Sequence, residues 1–282
     1  MFTDFIMKTD AGSSLAGYHW QQTAPSHVVC IIHGIGEYAG RYDRMAACMR
    51  KAGFSILSMD LPGHGASPGK RGHCAPRAVI RTHVDALISH ARGLYPKTPI
   101  ILYGHSMGGN IALDYRKRGN RNHVPAAYIV SAPWVELVRK IPGYQYKMVK
   151  AASKLMPSFT ISSGVSSADL GQAGSVGDYE KDPLVHKRIS LLCALEGFEI
   201  GEALAAGTLE DNGRAVGKPF LLMHGTEDRI CSIKGSRKIA ALEDCDYIEW
   251  PGLYHEIHNG GAGSDGQEVI EKVIRWIQVL SA

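Results

Sequence analysis

Chemistry can first be sought in the pentapeptide Gly104-His105-Ser106-Met107-Gly108. The β-forming run Ile100–Tyr103 leads into it, and the helix-prone stretch Asn110–Tyr115 leads out. A serine on so sharp a strand-to-helix turn sits in strained backbone, and the flanking glycines remove the Cβ atoms that would clash. The helix beginning behind it favours developing negative charge. A serine hydroxyl alone is a weak nucleophile. It needs an imidazole to take its proton and an acid to fix the imidazole's tautomer. For a serine on such a turn, the acid and then the histidine follow along the chain. Asp228 closes His224-Gly225-Thr226-Glu227-Asp228, just after the apolar run Phe220–Met223. His255 closes Pro251-Gly252-Leu253-Tyr254-His255, just after Tyr247–Trp250. Ser106 is therefore read as nucleophile, His255 as base and then acid, and Asp228 as orienter, ahead of Glu227 and Glu136.

A second Gly-x-Ser-x-Gly pattern, Gly65–Gly69, is set aside. No strand leads directly into it, and Pro68 lacks the amide N–H needed after a nucleophilic serine. Acyl transfer also needs an oxyanion hole, whose donors are worth roughly 3 kcal/mol each. The amide of Met107 supplies one. The second is placed at Ile35, in His33-Gly34-Ile35-Gly36-Glu37, although His33-Gly34 also reads as a simple turn.

These residues need a scaffold. Val28–Ile32, Phe54–Met59, Ile100–Tyr103, Ala127–Val130 and Phe220–Met223 are nearly continuous apolar runs, as in strands covered on both faces. Tyr247–Trp250 reads as a further strand, and segments near 2–8 and 14–21 as an edge hairpin. Helical patterns fall near 41–52, 76–95, 107–118, 233–243 and 266–280. This alternation predicts an α/β fold with a mostly parallel central sheet flanked by helices. From about 134 to 217 no strand signal recurs, and Tyr144–Met156 has helical spacing. A stretch that long should carry structure of its own. The expected organisation is a core of 1–133 and 218–282, with a helical cap at 134–217 inserted after the sixth strand.

Together these residues resemble the α/β-hydrolase serine lipases, within them the monoacylglycerol lipase and lysophospholipase group. The stretches that carry the likeness are His33–Tyr42, Asp60-Leu61-Pro62-Gly63-His64-Gly65, Gly104–Gly109, Asp182-Pro183-Leu184-Val185, His224–Asp228 and His255-Glu256-Ile257-His258. The resemblance implies cleavage of monoacylglycerols to fatty acid and glycerol, with lysophospholipase or broad short-chain carboxylesterase activity as alternatives. A non-catalytic ligand-binding protein of the same fold is the rival from another class. The resemblance also implies that Glu37, Arg41 and His258 hold the glycerol hydroxyls. Glu37 and Arg41 can equally be an i,i+4 ion pair, and His258 a surface polar residue. The glycine-rich turn at 259–266 departs from the group's usual pattern. Met148, Val149, Leu155, Met156, Phe159 and Ile161 are candidates to line an acyl tunnel, or else to pack the cap onto the sheet. An exposed apolar cap face would contact lipid aggregates or a membrane surface.

Composition bounds the remaining classes. The 282 residues are 45% hydrophobic and 21% charged, which is ordinary globular usage. The net charge of +4 is spread along the chain, so no nucleic-acid partner is expected. Six cysteines without CxxC spacing read as buried free thiols of a reducing compartment. His64, His73 and His224 lie in loops without metal-ligand spacing, so no metal and no cofactor is expected. No signal peptide or membrane span is read. The expected location is the cytoplasm, with peripheral membrane contact as an option, and the sequence sets no oligomeric state.

Overall fold

The structure is a computed structural model and describes residues 2–9, 12–172, 174–260 and 266–280. Its centre is an eight-stranded sheet built from β1 (Thr3–Lys8), β2 (Ser14–Trp20), β3 (His27–Ile32), β4 (Phe54–Met59), β5 (Ile100–His105), β6 (Ala127–Ser131), β9 (Phe220–Gly225) and β10 (Asp246–Trp250). The short strands β7 (Thr160–Ser162) and β8 (Arg188–Ser190) lie outside it. The order across the sheet is β1-β2-β4-β3-β5-β6-β9-β10. Only the pairs β1/β2 and β2/β4 are antiparallel; β4 through β10 run parallel.

Alternation along each strand divides the core into two layers. Val28, Cys30 and Ile32 of β3 face one layer, together with Ile100 and Leu102 of β5 and Phe220 and Leu222 of β9. That layer is closed by α2 (Arg77–Leu94), α3 (Met107–Arg118) and α6 (Leu191–Ala206). Val29 and Ile31, Ile101 and Tyr103, and Leu221 and Met223 face the other. There α1 (Asp43–Lys51) inserts Met45 and Met49, and α8 (Gln267–Val279) inserts Val269, Ile270, Val273 and Ile277. Burial on both faces is why these strands read as unbroken apolar runs. The edge strand β10 is only half-buried.

Between β6 and β9 the chain forms α4 (Gly143–Leu155), β7, α5 (Ser167–Leu170), β8 and α6. The antiparallel β7/β8 pair corrects the expectation that no strand recurs there. Each strand has three residues, too few to show a period, and the central partners, Ile161 and Ile189, lie 28 positions apart. The α6 helix rests directly on the core: Asn110 Nδ2 donates to the carbonyls of Trp134 (2.7 Å) and Gly197 (3.3 Å). The helix α7 (Ile233–Leu242) joins β9 to β10. The turn at 259–266 lies in part, at 261–265, outside the described residues. Four cysteines are buried, but Cys48 and Cys245 are only half-buried.

Candidate active site

Parallel strands end on one side of the sheet, and the loops leaving those ends meet there. Ser106 immediately follows β5, Gly34 follows β3, Asp228 follows β9 and His255 follows β10. Ser106 has φ 55° and ψ −117°, a left-handed conformation that side-chain-bearing residues rarely adopt. Its neighbours explain how the strain is held. Ser106 N–H donates to Ser131 C=O (3.0 Å), and Ser106 C=O accepts from the amides of Asn110 and Trp134 (both 3.0 Å). A Cβ on Gly104 would stand 2.3 Å from the Gly108 carbonyl oxygen, and one on Gly108 only 2.1 Å from that of Ile32. The turn is therefore possible only with glycine at both places.

Three side chains form one hydrogen-bonded line. His255 Nε2 lies 2.8 Å from Ser106 Oγ, and His255 Nδ1 lies 2.7 Å from Asp228 Oδ2. All three are almost wholly buried. Asp228 Oδ1 accepts the amides of Ile230 (2.8 Å) and Cys231 (2.9 Å), which fixes the carboxylate plane. Burial alone would push the Asp228 carboxyl up, but His255 and His224 hold it well below the usual carboxylate range. Burial likewise opposes protonation of His255, but Asp228 outweighs it and raises the imidazole above its ordinary value. Next to this line, burial and the neighbouring His255 push His105 down to about 3, so it stays neutral.

The loop after β3 comes close above Ser106, where a Cβ on Gly34 would crowd Ser106 Cβ at 3.2 Å. The peptide joining Gly34 to Ile35 is held by its carbonyl. His33 Nε2 accepts the Leu61 amide (2.9 Å), which leaves the proton on Nδ1 to be donated to Gly34 C=O (2.7 Å). In a planar trans peptide the N–H points opposite to the C=O, so His33 also sets the direction of the Ile35 N–H. Among the described residues, neither the Ile35 amide nor that of Met107 has an acceptor. Two donors of this kind can stabilise an oxyanion formed at an ester bound to Ser106.

The residues suggested for a head group are brought close to this line, with their side chains engaged. Glu37 Oε1 accepts from the Gly34 amide (2.6 Å) and the Tyr42 hydroxyl (2.8 Å), while Oε2 accepts Arg41 Nε (3.3 Å). Arg41 Nη2 donates to both oxygens of Glu256 (2.8 and 2.7 Å), and its guanidinium stacks over Tyr179. The i,i+4 pair between Glu37 and Arg41 is thus present. His258 is buried, stacked on Tyr42 and edge-on to His105, not a surface residue. Burial, then His105, Arg41 and Arg44, holds it well below its ordinary pKa.

Two cavities adjoin Ser106. A small one of about 10 Å³, the room of one water, is walled by Gly34, Glu37, His105, Tyr179, His255 and Glu256. A larger one of about 200 Å³ is lined by Trp134, Leu137, Ile141, Val165, Ile189 and Ile230, with Arg139, Arg229 and Asp169 also on its walls. The tunnel residues expected from the sequence are not there. Met148, Leu155, Met156, Phe159 and Ile161 are exposed on the outer surface, Leu155 at 84%. Helical spacing marked one face of α4 as apolar, but Met148 and Leu155 on it point to solvent, and Val149, half-buried, is not in the cavity wall either.

Other sequence candidates have ordinary structural roles. Ser67 donates to Asp60 C=O (2.6 Å) and accepts the Ala16 amide (2.9 Å), which ties a turn to β2. Glu136 pairs with Lys238 on the surface, and Glu227 is exposed. His73 bonds Ser190, and His64 bonds the carbonyl of Pro62. No group of three His, Cys, Asp or Glu side chains among the described residues is placed to share a metal ion. By sequence His224 belongs to a loop, but it lies in β9 and reaches Asp228. Glu256 falls within the stretch His255–His258, and nothing local signals its partner 215 positions away.

The family described as serine aminopeptidase, S33, matches residues 23–261. A monoacylglycerol lipase of Mycolicibacterium smegmatis is 30% identical over 259 residues, covering 90% of this chain and 89% of that protein. A phospholipase of Bacillus subtilis is 31% identical over 246 residues, covering 85% and 92%. An abhydrolase domain-containing protein of Dictyostelium discoideum is 31% identical over 259 residues, and the match spans only 26% of that longer chain. In three dimensions, the crystal structure of a monoacylglycerol lipase from Paleococcus ferrophilus superposes with a TM-score of 0.82 at 28% identity, covering 94% of this chain and 99% of that one. With its eight-stranded, mostly parallel sheet and a family match running through most of its length, the chain belongs to the serine aminopeptidase S33 family of the α/β-hydrolase fold.

Proposed function

We propose that this chain is a serine ester hydrolase that cleaves monoacylglycerols to a fatty acid and glycerol through an acyl-enzyme. The observation that carries this reading is the line Ser106–His255–Asp228, with contacts of 2.8 and 2.7 Å, at the wall of an apolar cavity. Relatives named as monoacylglycerol lipases support the substrate class.

Ser106 Oγ attacks the ester carbonyl carbon as its proton passes to His255 Nε2. The carbonyl oxygen becomes an oxyanion and receives the N–H groups of Ile35 and Met107. Asp228 holds the imidazolium that forms. When the C–O bond to glycerol breaks, His255 returns the proton to the leaving oxygen. Water then attacks the acyl-enzyme with His255 again as base, and fatty acid leaves. These steps need no cofactor. The acyl chain takes the larger cavity, and the leaving alcohol takes the side of the small one. There Glu37 lies in the wall, with Arg41 and His258 behind it.

In this reading, residues 134–217 act as a cap on a core of 1–133 and 218–282. The cap's outer face presents Tyr144, Met148, Leu155, Met156 and Phe159. From Val138 to Ala168 there is no Asp or Glu, while Arg139, Lys140, Lys147, Lys150 and Lys154 fall within it. Apolar side chains among cations suit transient contact with a lipid surface. Among the described residues no helix is long and apolar enough to cross a membrane. Replacing Leu155 and Met156 by serine should weaken co-sedimentation with anionic vesicles and leave hydrolysis of dissolved short esters intact.

The deciding experiment is a hydrolysis panel over monoacylglycerols, lysophospholipids and p-nitrophenyl esters, run with Ser106→Ala and a fluorophosphonate label. Monoacylglycerol turnover that vanishes in Ser106→Ala, with labelling at Ser106, is the expected result. No turnover and no label would end the reading. The lysophospholipid arm is included because a relative of 31% identity is named a phospholipase.

A further inference from the structure

Glu256 follows His255 directly, and its side chain is 1% exposed. A carboxylate so buried needs a reason, because an uncompensated charge there is strongly unfavourable. Its compensation is Arg41, whose Nη2 reaches both Glu256 oxygens (2.8 and 2.7 Å). Asn259 Nδ2 adds a third donor at 2.6 Å. Arg41 is in turn shared, with Nε donating to Glu37 Oε2 (3.3 Å). The other Glu37 oxygen holds the Gly34 amide at 2.6 Å. The chain of contacts therefore runs from the residue after the base, through a guanidinium and a second carboxylate, to the backbone beside Ile35.

We propose that Glu256 is a positioning residue for the oxyanion hole, acting through Arg41 and Glu37 on the Gly34–Ile35 backbone. The proposal rests on the esterase reading of Ser106 and Ile35. Gly34 is then clamped on both polar groups, its N–H by Glu37 and its C=O by His33. His33 sets which way the Ile35 N–H points, and Glu37 sets how far the loop stands from Ser106. Glu37 can adopt only the position that Arg41 and Tyr42 allow, and Arg41 only the one Glu256 allows. The backbone of Glu256 is itself fixed, since its N–H donates to Leu170 C=O (2.8 Å) and its C=O accepts from the Asn259 amide (2.8 Å). Base and oxyanion donor are thereby held in one frame although they leave different strands. Small displacements matter here, since misplacement by about 1 Å can cost on the order of 10²-fold in rate.

The test separates positioning from binding of the leaving alcohol. Wild type, Glu256→Ala and Glu256→Gln are compared by kcat and KM on one dissolved ester, and by the rate of fluorophosphonate labelling of Ser106. The label uses the oxyanion hole but carries no glycerol. In Glu256→Ala, kcat and the labelling rate should fall together by roughly 10- to 100-fold, short of the ~10²–10³ expected for removing a donor outright, with KM little changed. Glu256→Gln keeps an acceptor for Arg41 and should restore the labelling rate to within about threefold of wild type. Wild-type labelling rates in both variants would overturn the proposal, as would a loss confined to KM. If Glu256→Ala does not fold, Arg41→Lys replaces it: lysine cannot span both carboxylates, so a folded Arg41→Lys that labels at the wild-type rate also overturns it. A wild-type chain that neither hydrolyses esters nor takes the label would overturn the esterase reading itself, and this proposal with it.

Discussion

His224 and His255 reach the same oxygen of Asp228. His224 Nε2 lies 3.1 Å from Oδ2, and His255 Nδ1 lies 2.7 Å from it. With two backbone amides on Oδ1, the carboxylate is held from four directions. His224 is itself pinned, with Nδ1 2.7 Å from Ser236 Oγ and Nε2 also 3.0 Å from Cys231 C=O. Replacing His224 by alanine removes a polar neighbour from a buried anion and leaves Ser236 and the Cys231 carbonyl short of a partner. Such losses cost about 1–3 kcal/mol each. His224→Ala should lower the melting temperature and reduce kcat roughly tenfold, far less than the ~10⁴ of a lost acid. Calorimetry and initial rates on a soluble ester check this. Unchanged melting and rate would show the contact to be idle.

The Asp228–His255 pair fixes the pH response. In the proposed mechanism His255 accepts the Ser106 proton only when neutral, and, against the effect of burial, Asp228 leaves its pKa raised above the ordinary 6.5. The acid limb of kcat/KM should therefore have its midpoint above 6.5. In Asp228→Asn the anion that opposes burial is gone, so the limb should move to lower pH while kcat drops by about 10⁴-fold. The stability consequence has a definite sign. A raised histidine stabilises the fold fully below its unfolded pKa and loses that contribution as pH rises through the folded one. The depressed Asp228 carboxyl stabilises above its unfolded value near 3.8 and loses that only as pH falls through its folded pKa. The melting gap between wild type and Asp228→Asn should narrow as pH rises past the His255 midpoint.

Two glycines in helices should respond in opposite ways. A Cβ on Gly108 meets the backbone of Ile32 at 2.1 Å, so β3 or the start of α3 must move, and both border the site. Gly108→Ala should cost at least ~10²-fold in kcat and lower the melting temperature. Gly93 lies near the end of α2 with nothing within 4 Å of its would-be Cβ. Gly93→Ala should stabilise by about 0.5–1 kcal/mol, or about 1–2 °C, with kcat unchanged.

Much of the site was legible because its signals are local. The turn around Ser106 shows its glycines and its strand and helix within ten residues, and the buried strands show as apolar runs. Asp228 could be placed because it follows such a run, and His255 because it follows the strand-forming stretch Tyr247–Trp250, although that edge strand is only half-buried. Other parts had no local signal. Glu256 reads as an ordinary polar residue until the fold sets Arg41 against it. His33 and His224 matter through backbone groups and a carboxylate that only packing brings near. The α4 stripe shows the opposite limit: a helical period identifies an apolar face, but whether that face meets a core or solvent depends on what lies across from it.

With the acyl chain in the larger cavity, as proposed, that cavity sets the acyl preference. In that reading the chain runs toward Leu137 and Ile141, which the cavity of about 200 Å³ shares with a neighbouring groove bordered by Tyr146 and Phe198. A chain that fits within the cavity gains about 0.8 kcal/mol for each methylene removed from water. Once the wall is reached, added methylenes gain little unless Leu137 and Ile141 yield. Leu137 is only half-buried, so a larger side chain can be accommodated there. Leu137→Trp should shorten the usable cavity, cutting kcat/KM for long-chain monoacylglycerols by tenfold or more, within the ~10–200-fold that single hydrophobic contacts command. Esters of two to four carbons should be hydrolysed as by wild type, because they end before the wall. A graded p-nitrophenyl ester series measured with both proteins reads the crossover directly, and parallel profiles at every length would place the acyl chain somewhere other than this cavity.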